Sequence, residues 1–280
     1  MILPVKTAIS MAQLETYRAG KFHLRPKLRV GSEAQALQFI EEAGFVLLWV
    51  SGEQLNLPSL SGAYPPQRGD WQWWQWKQTL PNRKACFYAK ILRHKGTFIS
   101  WRFFPAFYSV YASRFSYEEE WQAGLLDRTQ KRLLDILREQ DGLMTKELRL
   151  AYGPSSKENT RRVLQALVEL QRLFRVCPSG GDTEGWSHHR WKMVEQWVPE
   201  KYLRQGRKLA PEKAGGQVLT QYLRSVGVSN PAEICWLFGW EKAAAQSFLQ
   251  QVKGLVEVEI QGERGRFFAL KSVLRELAEE

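Results

Sequence analysis

LDRTQKRLLDILREQDGLMTKELRLAYGPSSKENTRRVLQALVELQRLFRVCPSGGDTEGWSHHRWKMVEQW, residues 126–197, carries the pattern that decides the fold. Asp127 is placed to cap a helix in which Leu133, Leu134, Ile136 and Leu137 recur at helical spacing, and Gly142 lies near its end. Thr145 caps a second, short helix with Leu148, Leu150 and Ala151 inward, stopped by Tyr152-Gly153-Pro154. A third helix over about 156–173 puts Val163, Leu164, Leu167, Val168 and Leu170 on one face and Lys157, Arg161 and Arg162 near its start. Residues 174–177 read as a strand, 178–185 as a loop, and 186–193, beginning at Trp186, as the returning strand. Three helices and a β-hairpin in that order make a winged helix.

The order recurs toward the C-terminus. Residues 213–226 are periodic, Asn230 caps a short helix over 231–240, and 241–252 form a third helix with Ala244, Phe248 and Val252 inward. Two strands, 255–260 and 266–270, are then joined by Gln261-Gly262-Glu263-Arg264-Gly265. Between the two copies, KYLRQGRKLAPE (201–212) reads as a basic linker whose Arg204 and Arg207 are placed to touch backbone phosphates.

The N-terminal portion is less regular. Ser10 with Gln13 and Ser32 with Gln35 are capping-box patterns that start two helices, and Gly44 ends the second. Residues 45–50 read as a buried strand, 57–66 as a proline-rich loop, 82–94 as helical and 97–104 as extended. The expected fold class is mainly α with small β-hairpins, an α+β protein of three tandem winged-helix domains. Its divisions are an N-terminal helical arm (1–30), an aromatic and basic winged-helix-like module (31–117), a middle winged helix (118–200), the basic linker (201–212) and a C-terminal winged helix (213–280).

Charge points to a polyanionic partner. The 280 residues hold 40 Lys and Arg against 29 Asp and Glu, a formal net charge of +11. Between Asp70 and Glu118 there are 47 residues without an acid, and they carry eight of the cations and fifteen of the 35 aromatic rings. Cations neutralise phosphates and flat rings stack on bases. Lys84, Arg93, Lys95 and Arg102 are the candidate phosphate contacts in this stretch, and Trp71, Trp74 and Trp101 the candidate stacking rings. In the middle unit, Lys157, Asn159, Arg161 and Arg162 face the DNA groove from the third helix, with Arg190 and Lys192 on the wing.

Other classes recede. No run of 18 apolar residues is present, so a membrane is not the expected partner. MILPVKTAIS lacks the pattern of a signal peptide, which predicts a cytoplasmic, nucleoid-associated protein. Cys86, Cys177 and Cys235 read as reduced structural thiols, and adjacent His188 and His189 point to opposite faces of a strand. No metal and no cofactor are expected: there is no phosphate-cradling G-x-x-x-x-G-K and no nucleophile elbow. The oligomeric expectation is a monomer.

The order of parts resembles bacterial DNA glycosylases of the AlkZ/YcaQ type, which remove alkylated or crosslinked bases using three tandem winged helices. The resemblance is carried by residues 9–49 and by Tyr222-Leu223-Arg224-Ser225-Val226-Gly227 with Asn230-Pro231-Ala232-Glu233-Ile234 and Trp236. It implies a monofunctional base-excision protein acting on double-stranded DNA. The family's catalytic signature is Gln, one residue, then Gln or Asp, just ahead of the strand that residues 45–49 resemble. This sequence reads Gln38-Phe39-Ile40-Glu41-Glu42-Ala43-Gly44 there, which leaves Gln38, Glu41 and Glu42 as the catalytic candidates. A carboxylate at that place would stabilise the oxocarbenium character of excision. The competing readings are a non-enzymatic winged-helix regulator or DNA-damage-binding protein, and a scaffold that uses winged helices against other proteins.

Overall fold

The computed structural model describes residues 4–50, 55–183 and 188–279, which are mainly helical with three small sheets. The N-terminal portion contains β1 (Pro4–Ile9), α1 (Met11–Lys21), α2 (Glu33–Ala43), β2 (Phe45–Leu47), α3 (Leu60–Ala63), α4 (Gln72–Asn82), β3 (Phe87–Lys90), β4 (Gly96–Ile99) and α5 (Phe104–Tyr111). Both capping serines act as read: the Ser10 hydroxyl accepts from Gln13 N–H at 3.2 Å and Ser32 from Gln35 N–H at 3.3 Å. The Gln35 amide oxygen instead accepts from Gly31 N–H at 2.9 Å, so α2 has only half of the box.

Strands β2, β4 and β3 form an antiparallel sheet buried on both faces. Phe45, Leu47, Phe87, Ala89 and Ile99 turn to a core shared with α5 and the C-terminal unit, while Val46, Leu48, Tyr88 and Phe98 turn to a core with α2 and α4. This double burial corrects the helical reading of 82–94. A strand apolar on both sides has no period-2 signature, so Phe87-Tyr88-Ala89 gave no sign of its extended form. Similarly, the extended segment at 97–104 stops at Ile99, and α5 begins at Phe104.

The middle unit contains α6 (Tyr117–Gln122), α7 (Arg128–Glu139), β5 (Leu143–Met144), α8 (Thr145–Tyr152), α9 (Lys157–Arg172), β6 (Val176–Gly181), β7 (His189–Met193) and α10 (Val194–Trp197), with sheet order β5-β7-β6. Asp127 and Gln130 make a full capping box. The cap of α8 is Met144 rather than Thr145. The Thr145 hydroxyl donates to His189 O at 3.2 Å and accepts from Trp191 Nε1 at 3.0 Å, tying the helix to the wing. Leu150 and Leu164 face solvent, at 60% and 44% exposure, and the core is filled by Leu133, Leu134, Leu148, Val163, Ala166, Leu167 and Trp191. Trp186, read as the start of the returning strand, lies outside the described residues.

The expected loop from 178 is strand as far as Gly181, because the hairpin packs against α4. A Cβ on Gly180 would fall 1.7 Å from the Asn82 side chain. At the same contact His189 Nδ1 lies 3.1 Å from Gln78 Oε1. Burial, reinforced by Lys77, Lys90 and His188, pushes the imidazole down to about 3.

The remainder contains α11 (Glu200–Lys208), α12 (Pro211–Val226), β8 (Val228–Ser229), α13 (Pro231–Phe238), α14 (Lys242–Gln250), β9 (Leu255–Ile260), β10 (Phe267–Leu270) and α15 (Lys271–Glu279). The stretch read as a linker is therefore largely helix. α11 lies against α5 so closely that a Cβ on Gly206 would meet the Tyr108 ring at 2.8 Å. Nor is the N-terminal arm separate from the C-terminal unit. β1 pairs parallel with β9 at the edge of the sheet β1-β9-β10-β8, and the Tyr17 hydroxyl and Arg18 guanidinium donate to the Arg224 and Val226 carbonyls at 2.7 and 2.9 Å. Buried Gln221 of α12 donates to Glu42 O and Ala43 O at 3.1 and 2.9 Å, joining that unit to the end of α2.

Replacing Gln221 by Leu leaves those two carbonyls without their side-chain donor, and chemical denaturation should show a loss of about 1–3 kcal/mol. A second expectation concerns acid. The unfolded chain protonates His189 near pH 6.5, whereas the folded chain resists until about 3, so stability is present above 6.5 and falls as the pH drops through that window. Denaturation midpoints between pH 7 and 4.5 should show roughly 2 kcal/mol of this loss absent from His189→Asn.

Candidate functional site

Helical spacing places Gln38 and Glu42 one turn apart on α2, and the Gln38 amide donates to Glu42 Oε1 at 2.8 Å. Glu41 lies on a different side of the helix, where Arg102 donates to its backbone carbonyl at 3.0 Å. Burial raises the Glu41 carboxyl, with Arg102 acting in the opposite sense. The structure thus brings two of the three catalytic candidates together.

Their partner was invisible in the sequence. His23, at φ +56 just after α1, stacks on Phe39 with ring centroids 4.2 Å apart and places Nε2 3.5 Å from Glu42 Oε2. Burial lowers its affinity for a proton, with Glu42 acting in the opposite sense. These groups open on a cleft of about 540 Å³ between the N-terminal portion and α12, lined also by Lys21, Arg102, Gln221 and Arg224. Glu42 is 52% exposed there. The arrangement offers a carboxylate fixed by an amide and an imidazole, with guanidinium groups available for a phosphate.

A second groove of about 670 Å³ shares Arg102, Gln221 and Arg224 with that cleft. Lys213, Gln217, Thr220 and Arg224 form one wall along α12, and Lys253 stands at the end of α14. Lys213 and Lys253 were not singled out in the sequence, and Arg224 entered it only within the Tyr222–Gly227 passage, not as a binding residue, because the apolar period of α12 masked the polar stripe.

The tryptophans divide by environment. Trp73 and Trp76 are core residues, while Trp71, at the start of α4, is 61% exposed and stacks on Trp73 at 5.8 Å. Trp74 meets Trp49 edge-on at 6.3 Å and holds Lys77 Nζ 3.2 Å from its ring centroid. Burial, with Lys90 nearby, pushes that Lys77 amine down to about 8. Trp49, 44% exposed, completes the cluster and was read only as the end of a strand. Trp101 is engaged elsewhere: its Nε1 donates to Lys84 O at 2.7 Å, and its ring stacks on Tyr202 at 4.8 Å.

The expected phosphate contacts are dispersed. On α9, Lys157 and Arg161 are exposed beside a groove of about 800 Å³, and among the described residues neither forms a salt bridge. Arg162 pairs with Glu158 at 2.5 Å, and the Asn159 amide donates to Pro154 O at 2.8 Å. On the wing Lys192 pairs with Asp141 at 2.6 Å, and Arg190 donates to Gly142 O at 3.2 Å. Arg93 lies over the Trp236 ring at 4.5 Å, Arg207 pairs with Glu200 at 3.2 Å, and Lys84, Lys95 and Arg204 are on the surface. Among the described residues no three His, Cys, Asp or Glu side chains converge on a metal position, and no helix is long and apolar enough to cross a membrane.

No curated protein matches this sequence. Among solved structures, the Streptomyces sahachiroi DNA glycosylase AlkZ is similar in fold, with a TM-score of 0.63 over 97% of this chain and 72% of that one at 16% identity. The sequence pattern of the AlkZ-related family matches residues 30–239, three quarters of the chain, and spans both α2 with its Gln38–Glu42 pair and α12 with Gln221. By that match the chain belongs to the AlkZ-related family.

Proposed function

We propose that this chain is a DNA-binding protein related to base-excision glycosylases, and that three tandem winged helices hold double-stranded DNA. The α7–α8–α9 unit with its β6–β7 hairpin is the most complete of the three. The observation that carries the reading is the outer face of α9, where Lys157 and Arg161 are exposed beside an open groove and, among the described residues, form no salt bridge. Phosphates suit those cations, and the start of a third helix is the part of a winged helix that reaches base edges. The β6–β7 hairpin then serves as the wing, with Arg190 and Lys192. The protein acts as a monomer, in the cytoplasm at the nucleoid, without a metal or cofactor. The exposed faces of Trp71 and Trp49 support unstacked bases.

Base excision at the Glu42 cleft is favoured by a separate observation, the fixing of that carboxylate by Gln38 and His23. In the reaction the bond from the sugar carbon to the base breaks, the base leaves with the electron pair, and water adds to the carbon as its proton passes to the Glu42 carboxylate. Glu42 faces the positive charge that develops and orients the water, while Arg102 and Arg224 take the neighbouring phosphate. The substrates are alkylated or crosslinked bases in duplex DNA.

Two measurements test these readings. Lys157→Gln with Arg161→Gln should weaken duplex binding at least about tenfold and flatten the dependence of log Kd on log salt by about 1.8, equally for all sequences. Weak binding by the unaltered protein that ignores salt would instead favour a protein-interaction scaffold. For excision, duplexes with alkylated purines or crosslinks are incubated with protein and scored for strand breaks after alkali. Glu42→Gln should reduce breaks by about a hundredfold with duplex affinity unchanged. Tight, salt-dependent binding without breaks would leave a damage-binding protein or a regulator.

A further inference from the structure

The C-terminal unit has no part in the α9 face, yet one wall of it is built as a cationic track. Along α12, Ala214, Val218, Leu219, Tyr222 and Leu223 are buried, while Lys213, Gln217, Thr220 and Arg224 follow at steps of four, three and four on the opposite side. The eleven steps from Lys213 to Arg224 rise about 16 Å along the helix. Gly215 and Gly216 draw the end of α14 onto this wall, since a Cβ on Gly215 would lie 2.2 Å from the Phe248 ring and one on Gly216 2.5 Å from Gln251 Cβ. Two adjacent glycines inside a helix cost about 1 kcal/mol each relative to alanine, and the close approach explains them. Its result is to bring Lys253 across from the stripe. Arg102 closes the other side.

Among the described residues the groove so formed is lined by four cations, Arg102, Lys213, Arg224 and Lys253, and by no carboxylate. Among the described residues none of the four forms a salt bridge. Like charges lining one groove repel one another, Arg102 alone of the four acting on a neighbouring carboxyl, that of Glu41, and an elongated open groove cannot be neutralised by one small anion. A ligand with regularly repeated negative charge matches it, and a phosphodiester strand has that spacing of charge.

We infer that the α12 groove is a second nucleic-acid contact, a track for the phosphate backbone that leads one strand into the Glu42 cleft. The inference rests on the DNA-binding reading above and extends it to Lys213 and Lys253, which that reading does not use. Continuity gives the direction: Arg102, Gln221 and Arg224 line both spaces, and the same Gln221 holds the end of the helix that bears Glu42. A strand seated on Lys213 and Lys253 therefore reaches the cleft at Arg224 and Arg102.

The test uses the full chain and a fluorescently labelled duplex, with Kd measured between 50 and 200 mM salt. Lys213→Gln with Lys253→Gln changes two exposed side chains outside the cleft, and an unchanged thermal melt checks the fold. The double variant should lower the magnitude of the salt slope by about 1.8 and weaken binding roughly 30-fold at 100 mM. If the unaltered protein binds with strong salt dependence and the double variant matches it, the track is refuted while DNA binding through α9 stands. If the unaltered protein shows no salt-dependent binding, both fall together. Polyglutamate binding as tight as duplex, and lost equally in the double variant, would assign the groove to an acidic protein partner and overturn the inference.

Discussion

The hydrogen bonds from Gln221 to the last carbonyls of α2 fix where the candidate chemistry sits. A helix end leaves carbonyls without intrahelical partners, and burying such an end requires donors from elsewhere. Gly44 turns the chain away at φ +79, into a space where a Cβ would touch Phe103 and Gln221, so no side chain of the turn itself can supply them. α12 supplies them across a separation of about 180 residues, as Gln221 stands 178 positions from Ala43. Glu42 is consequently presented on a helix terminus held by the C-terminal unit, facing a cleft of which that same unit forms the other wall.

That dependence explains why the two ends of the chain are braided. β1 completes the C-terminal sheet, α1 packs on α12, and Arg18 donates to the carbonyl at the end of α12. The apolar core follows the same route, running from Phe45 and Phe87 through Phe104 and Phe107 to Leu219 and Tyr222 without a break. Burying each such ring contributes about 1.5–3 kcal/mol, and the many rings together outweigh the few polar contacts that fine-tune the site. Apolar packing sets the distance between the two walls, and Gln221 sets the register of Glu42 within it.

Legibility followed the range of the forces involved. Capping by Ser10, Ser32, Asp127, Ser156 and Asn230 is decided within four residues, and each cap was readable or lay within a residue of the expected helix start. The helix–helix–helix–hairpin order of the middle unit has the same local origin. What failed was set by distant partners. Residues 87–90 form a strand because both faces are buried by other elements, 201–208 a helix because α5 receives it, and 178–181 a strand because α4 lies against it. The site divides in the same way. Gln38 and Glu42 meet by helical spacing, which sequence contains. His23 reaches Glu42 only through the turn after α1, and Arg224 only through the packing of α12, so neither had a local signal.

The same distinction ranks the nucleic-acid candidates. A surface ion pair contributes between zero and about 1 kcal/mol, so Arg162 with Glu158 and Arg207 with Glu200, all more than half exposed, can exchange a carboxylate for a phosphate at little cost. Pairing of this kind keeps a cation from associating indiscriminately without removing it from the interface. Trp101 is in a different position. Its indole N–H is bonded to Lys84 O and its ring is stacked on Tyr202, so offering it to a base would break a half-buried contact between α11 and the N-terminal portion. Among the described residues Trp71 stacks only from one side, on Trp73, and is 61% exposed. The acid-free stretch therefore performs two tasks with the same residue types. Most of its rings weld the modules together, and a few, Trp71 among them, stay exposed at the rim, as does Trp49 outside the stretch.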